Sequence, residues 1–354
     1  MLRCSRCGKT YPETFMLKCD CGGTLFVERE HFDFFGSLMP YLDARRYINF
    51  LPVGGNLLPP PVPAITPTVE LQVGPVTALF KLDYLQPSGS FKDRGTWVTV
   101  AKLMEEGVSE VVLDSSGNAA LSMALYSLPA RIKVHTFVSY GAMPSKISLL
   151  QRLGAIIHFV YGDRMEVHEE AVEFAEREGI TYVSHWLNPY FIEGTKTIAY
   201  EAYEQVGVPD YAFAPTGSGT LFLGLWKGFR ELREMGEVND LPRLVAVQAE
   251  GYESLCERSV MKNRLADGIA IPEPPRKEDM ERALDESNGL CVSVGEAETR
   301  EALEWLINAG FLVEPTSAVV LAGLWKLVDS AEIPEGSKVL LPLSGSGLKI
   351  TEGI

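Results

Sequence analysis

Lys92 stands in the segment Pro87-Ser88-Gly89-Ser90-Phe91-Lys92-Asp93-Arg94-Gly95, where a loop of Gly and Ser turns into a helical pattern. A Schiff base needs a neutral amine, and a partly buried lysine loses its proton more readily than one in water. The small neighbours let a flat molecule approach the backbone. Taken alone, the same lysine reads more simply as a solvated cation at a helix start. Two further Gly/Ser loops each follow a strand-like run. Ser115-Ser116-Gly117-Asn118-Ala119-Ala120 follows 110–114, and Pro215-Thr216-Gly217-Ser218-Gly219-Thr220 follows 211–214. A polar Gly turn between strand and helix points backbone N–H groups at an anion. Capping by Ser or Asn, or a plain tight connection, is the simpler alternative for each. A last loop, Leu343-Ser344-Gly345-Ser346-Gly347-Leu348-Lys349, closes the chain's final strand pattern.

The cysteines offer a different chemistry. Cys4-x-x-Cys7 and Cys19-x-Cys21 form two close pairs separated by eleven residues, with Gly8 after one and Gly22 and Gly23 after the other. Thiolate pairs in tight Gly turns, in a segment too small for its own core, predict a tetrahedral zinc ribbon. Two disulfides are the alternative. A closed four-thiolate site leaves no position for a catalytic water, so its role is structural. Cys256 and Cys291 lie in separate segments and read as core thiols. The five histidines (His31, His135, His158, His168, His185) show no H-x-x-x-H spacing and read as packed or solvated.

These residues must be carried by regular elements. Short apolar runs at 110–114, 132–138, 155–160, 211–214, 244–248 and 338–343 predict buried strands. Between them lie helical spacings such as Trp97, Val100, Ala101, Met104 and Ala120, Met123, Ala124, Ser127. Such alternation predicts an α/β fold with mostly parallel sheets. The stretch 50–67, dense in Pro and Gly, reads as an irregular connection. The charged segment 273–286, Pro-rich at its start, reads as a surface excursion.

In order and spacing, these segments resemble threonine synthases, members of the fold-type-II pyridoxal-phosphate enzymes. The Lys92 segment is similar to N-P-T-G-S-F-K-D-R-G, the 115–119 loop to S-S-G-N-A, and the last loop to T-G-H-G-L-K. The resemblance continues through Asn188-Pro189-Tyr190-Phe191-Ile192-Glu193-Gly194-Thr195-Lys196-Thr197, Ala266-Asp267-Gly268-Ile269-Ala270-Ile271 and Glu314-Pro315-Thr316-Ser317-Ala318. It spans about residue 60 to the C-terminus, and 1–28 is similar to the zinc-ribbon-like start of some microbial members.

The resemblance implies two domains built on open sheets: a large cofactor-binding domain of 29–88 and 188–354, and a smaller substrate-gripping domain of 89–187. It implies pyridoxal 5′-phosphate on Lys92 as a Schiff base, and Asn118 at the cofactor's 3′-oxygen. Ser115, Ser116 and Gly117 would hold the substrate carboxylate. Thr216, Gly217, Ser218, Gly219 and Thr220 would hold the cofactor phosphate, and Ser344 would face the pyridine nitrogen. A neutral hydroxyl there makes a weaker electron sink than a carboxylate would. Candidate donors to a substrate phosphate are Lys146, Asn188 and Ser90, with Arg152 behind them. The implied reaction converts O-phospho-L-homoserine and water to L-threonine and phosphate in a homodimer. Three departures lie on the substrate side: Gln86 for Asn, Phe191 where the family often has Arg, and Ser346 for His. They keep two alternatives open, a serine or threonine dehydratase and a β-replacement enzyme using O-phosphoserine (cysteate or cysteine synthesis).

Composition bounds these readings. Hydrophobic residues make up 46% and charged residues 22%, as in an ordinary globular enzyme. A net charge of −15 disfavours broad nucleic-acid binding. No apolar run approaches membrane-spanning length and the N-terminus carries no signal-peptide pattern, so the expected location is the cytosol.

Overall fold

A computed structural model describes residues 1–55, 57–142, 144–162 and 164–349. The chain opens with a three-stranded antiparallel sheet of β1 (Leu2–Cys4), β2 (Thr10–Tyr11) and β3 (Leu25–Val27), in the order β2-β1-β3. After the single turn α1 (Phe34–Ser37), β4 (Thr68–Val73) and β5 (Val76–Lys81) form an antiparallel hairpin. Helix α2 (Lys92–Glu105) then leads through β6 (Glu110–Leu113), α3 (Asn118–Ala130), β7 (Lys133–Ser139), α4 (Pro144–Arg152), β8 (Ile156–Val160), α5 (Arg164–Glu178) and β9 (Thr181–Tyr182). These strands form an all-parallel sheet in the order β8-β7-β6-β9. Helices α6 (Pro189–Thr195) and α7 (Thr197–Val206) carry the chain to β10 (Tyr211–Pro215), α8 (Thr220–Glu234), β11 (Arg243–Ala249), α9 (Lys277–Glu286), β12 (Leu290–Val294), α10 (Glu296–Asn308), α11 (Pro315–Asp329) and β13 (Lys338–Pro342). With the hairpin they complete a six-stranded sheet, β12-β11-β10-β13-β5-β4, parallel except at β4.

The parallel strands read as continuous apolar runs because helices cover both faces; every residue of β10 is buried. The expected α/β architecture is therefore present, with each anticipated strand within a residue or two. The β4–β5 hairpin and β12 were not among the anticipated strands.

Two expectations are corrected. The segment 273–286 is no surface excursion: α9 buries Asp279, Met280 and Ala283. Its Pro-rich start is compatible with a helix entrance, and its buried face is narrow enough to be masked by the charges of the outer face. Cys256 and Cys291 are not separate thiols but a disulfide, with Cα atoms 5.5 Å apart. Cys291 lies on the edge strand β12, and the loop after β11 folds Cys256 back beside it, a pairing that spacing alone does not reveal. Among the described residues, no helix is long and apolar enough to cross a membrane.

Candidate active site

In a parallel sheet the loops beyond the strands' carboxyl ends share one edge, and ligands bind there. The Ser115–Gly117 loop leaves β6, the Gly217–Gly219 loop leaves β10, and Ser344 follows β13. Lys92 opens α2. All of these line a single cavity between the two parallel sheets.

Helix α2 is fixed by charges buried behind it. Arg94 is 1% exposed and pairs with Asp83 at 2.8 Å and with Glu201. Lys92 itself points into the cavity. Its Nζ lies 4.4 Å from the Phe91 ring centroid and 5.8 Å from that of Phe191. Among the described residues it has no carboxylate partner. Burial, helped by the positive charge of Arg164 and opposed by Glu314, lowers its pKa to about 8. A far larger share of the amine is thus neutral at ordinary pH than for a lysine in water, and the neutral form is what carbonyl addition requires.

Two helix N-termini face the same space. Gly219, the N-cap of α8, sits in the left-handed region at φ 84 with no side-chain cap. A Cβ at Gly219 would strike the Met280 side chain, so only glycine serves. Gly117, the N-cap of α3, likewise has no side-chain cap. The first-turn N–H groups of both helices are therefore left for an outside acceptor. Gly217, Ser218 and Thr220 line the cavity beside Gly219, and Ser115 and Ser116 beside Gly117.

Polar contacts hold the remaining wall. Asn118 donates through Nδ2 to Glu314 at 2.9 and 3.0 Å, and its Oδ1 accepts from Lys349 Nζ at 2.6 Å. Lys349 also donates to the Gly89 carbonyl at 2.7 Å. Ser344 is buried with its hydroxyl 3.2 Å from that of Ser317.

Scanned against family models, the chain matches the pyridoxal-phosphate dependent enzyme family over residues 61–345. The chain belongs to this family. Among curated relatives, it is 29% identical to the threonine synthase of Methanocaldococcus jannaschii, over 98% of this chain and 92% of that protein. It is 32% identical to the threonine synthase of Synechocystis sp., over 82% and 76%. In fold it is similar to maize serine racemase (TM-score 0.70, 22% identity, 80% of this chain and 89% of that one). It is also similar to threonine deaminase isoform 2 of Solanum lycopersicum (TM-score 0.68, 21% identity, 80% and 84%).

The cavity fits the family's cofactor. A weakly basic amine, an uncapped helix end of Gly and hydroxyl residues, and a buried hydroxyl match an aldehyde, a phosphate and a ring nitrogen in kind. As a pyridoxal-phosphate enzyme, the chain holds some anticipated residues away from the cavity. Thr216 is buried beneath the loop, its hydroxyl donating to Ala214 O at 2.8 Å. Asn188 caps α6, accepting from Tyr190 N at 2.9 Å and donating to Thr99 at 2.7 Å. Ser90 is buried outside the lining, and Arg152 ends α4 on the exterior. Lys146 does line the cavity, 3.1 Å from Asp267.

Other lining residues had no role read from the sequence. Glu314, Asp267 and Thr316 belong to quoted segments, but Arg164, His185 and Trp186 carry no motif. His185 is the one histidine in the lining; burial, then the charges of Lys92 and Arg164, hold its pKa well below the usual value. His135 and His158 instead pair with each other at 3.0 Å, and His168 with Asp114 at 3.0 Å.

Away from the cavity, Cys4, Cys7, Cys19 and Cys21 bring their sulfurs within 4.8 Å of one another. Cys4–Cys21 and Cys7–Cys19 are each 3.6 Å apart. Four sulfurs at ~2.3 Å from a tetrahedral centre lie about 3.8 Å apart, so the geometry suits zinc. The Tyr11 hydroxyl lies 3.0 Å from Cys19 Sγ, a contact that would orient the ligand. A Cβ at Gly23 would lie 2.7 Å from Cys4 Sγ, so a larger residue would crowd the cluster.

Proposed function

We propose that the chain is a threonine synthase, converting O-phospho-L-homoserine and water to L-threonine and phosphate. The observation that carries the reading is the convergence, in one cavity, of the Lys92 amine with two uncapped helix N-termini. The two N-termini would supply donors to the substrate carboxylate and the cofactor phosphate, and the amine would supply the point of attachment. The match to two threonine synthases over most of the chain supports the same choice.

In this reading Lys92 attaches pyridoxal phosphate, whose conjugated ring, when bound, stabilises an electron pair at the substrate Cα. Gly217, Ser218, Gly219 and Thr220 hold the cofactor phosphate. Ser344 would face the ring nitrogen, and Asn118 the ring oxygen. Ser115, Ser116 and Gly117 hold the substrate carboxylate, so Cα lies toward Lys92. The Lys92 amine, with its lowered pKa, would accept and return protons at Cα and Cβ. Lys146 supplies charge toward the substrate phosphate. We assign 89–187 to the substrate-gripping domain and 29–88 with 188–354 to the cofactor domain. We assign one structural zinc ion to Cys4, Cys7, Cys19 and Cys21 of the 1–28 ribbon.

The test is a side-by-side assay of phosphohomoserine, threonine, serine and phosphoserine. The reading expects phosphate and threonine from phosphohomoserine and no ammonia from threonine or serine. Ammonia release, or phosphate release from phosphoserine alone, contradicts it.

A further inference from the structure

Apart from Lys92, two side-chain cations line the cavity among the described residues, and they differ in what they face. Lys146 on α4 is already matched: its ammonium lies 3.1 Å from Asp267, on the short 3-10 turn Asp267–Ile269 that forms the opposite wall. Arg164, the first residue of α5, is not matched. Its guanidinium carbon lies over the Trp186 ring, 4.5 Å from the centroid, and among the described residues it pairs with no carboxylate. Both Arg164 and Trp186 belong to the lining.

A cation–π contact with an indole positions a guanidinium without pairing its N–H groups to a protein oxygen. Those groups form a fork that suits two oxygens of one phosphate or carboxylate. The charge of Arg164 also reaches the chemistry, since it lowers the proton affinity of Lys92 and His185. Arg164 therefore shares an electrostatic space with the reacting amine while, among the described residues, it has no carboxylate partner.

The other anion-binding elements of the cavity are backbone cradles at Ser115–Gly117 and Gly217–Thr220. On the reading proposed above, these serve the substrate carboxylate and the cofactor phosphate. One anion remains, the phosphate of the substrate, toward which Lys146 brings only a charge already offset by Asp267. We infer that Arg164, oriented by Trp186, receives this phosphate as a two-pronged partner and sets the preference for phosphorylated amino acids. The inference rests on the functional reading for the identity of the substrate, but its residue assignment can fail separately.

The experiment uses cofactor-loaded wild type, Arg164→Gln and Arg164→Lys. Initial rates are measured with O-phospho-L-homoserine. Binding of L-threonine, which lacks phosphate, is followed by titrating the cofactor absorbance. Loss of charge-assisted hydrogen bonds predicts a KM for phosphohomoserine raised about 10- to 100-fold in Arg164→Gln. kcat is expected to change far less, the threonine Kd to hold, and Arg164→Lys to recover part of the loss. An unchanged KM in Arg164→Gln overturns the inference. So does a threonine Kd that rises as much as the KM, which marks a general loss of cavity structure.

If wild type does not turn over phosphohomoserine, it is the functional reading that falls. The residue assignment is then tested by titrating O-phospho-L-serine against L-serine. Wild-type preference for the phosphorylated compound, lost in Arg164→Gln, supports the assignment; preference retained by the variant overturns it.

Discussion

The cysteine cluster and the cavity use polar, metal-capable and nucleophilic residues in opposite ways. In the cluster, ligands drawn from Cys4 to Cys21 turn inward until all four sulfurs face one another. In the cavity, groups drawn from Lys92 to Ser344 converge while keeping bonding capacity in reserve: an amine and a guanidinium without a carboxylate partner among the described residues, and two uncapped helix ends. A closed set stabilises the chain, and an open set binds and reacts. Arg276 joins the two regions. Fully buried, it donates to Leu25 O at 3.0 Å in the ribbon sheet, and to Trp186 O and Leu187 O, each at 2.8 Å, at the cavity wall.

The contrast breaks most visibly at Lys92. Lys92→Ala should lower turnover by at least ~10³-fold and abolish the cofactor's covalent absorbance band. Elemental analysis and thermal melting should find the metal content and the unfolding midpoint unchanged. A fall in metal content would show the two regions to be one cooperative site.

The reserve of the cavity amine has a pH signature. Its pKa falls from 10.5 to about 8 on folding, so the neutral, reactive form grows through pH 8 and saturates above it. Stopped-flow capture of pyridoxal phosphate by the cofactor-free enzyme should quicken roughly 50-fold between about pH 6 and 8, then level off above about pH 9. A rate still climbing toward pH 10 would mean an ordinary lysine.

The closed region should respond in the opposite sense. Cys7→Ser should abolish binding of the proposed zinc ion and destabilise the protein by roughly 3–5 kcal/mol in denaturant melts. Turnover per cofactor-loaded, folded site should stay near wild type. A large fall in that turnover would place the cluster in the chemistry.

Arg276→Met sharpens the comparison, because it cuts the connection and leaves both ends in place. Three backbone carbonyls lose a donor and Asp279 loses a buried partner, at a cost of about 3 kcal/mol. Trp186 should then emit further to the red, and KM should rise modestly with kcat held. Unchanged Trp186 emission would show that the ribbon does not brace the wall.

The sequence exposed what is local. Lys92, the Ser115–Gly117 turn and the Gly217–Thr220 turn each announce themselves in a few consecutive residues, because a Gly/Ser bend between strand and helix has a composition of its own. Strands buried on both faces, such as Tyr211–Pro215, were equally visible as apolar runs. Tertiary pairings were not. Glu314 meets Asn118 only because α11 and α3 start at the same cavity, and Arg164 meets Trp186 only because β9 returns beside α5. Asn188 misled for a related reason: Asn before Pro suits a ligand donor and a helix N-cap equally, and here it caps α6. Helix α9 was hidden by its charged outer face, and the Cys256–Cys291 bond by the folding of a long loop.

The account rests on a covalent bond between Lys92 and the cofactor aldehyde. Borohydride reduction of the loaded protein, followed by proteolysis and mass spectrometry of the peptides, reads that bond directly. The expected result is one pyridoxyl-phosphate adduct, on the peptide containing Lys92, in stoichiometric yield. An adduct spread over surface lysines, or none on that peptide, would contradict it.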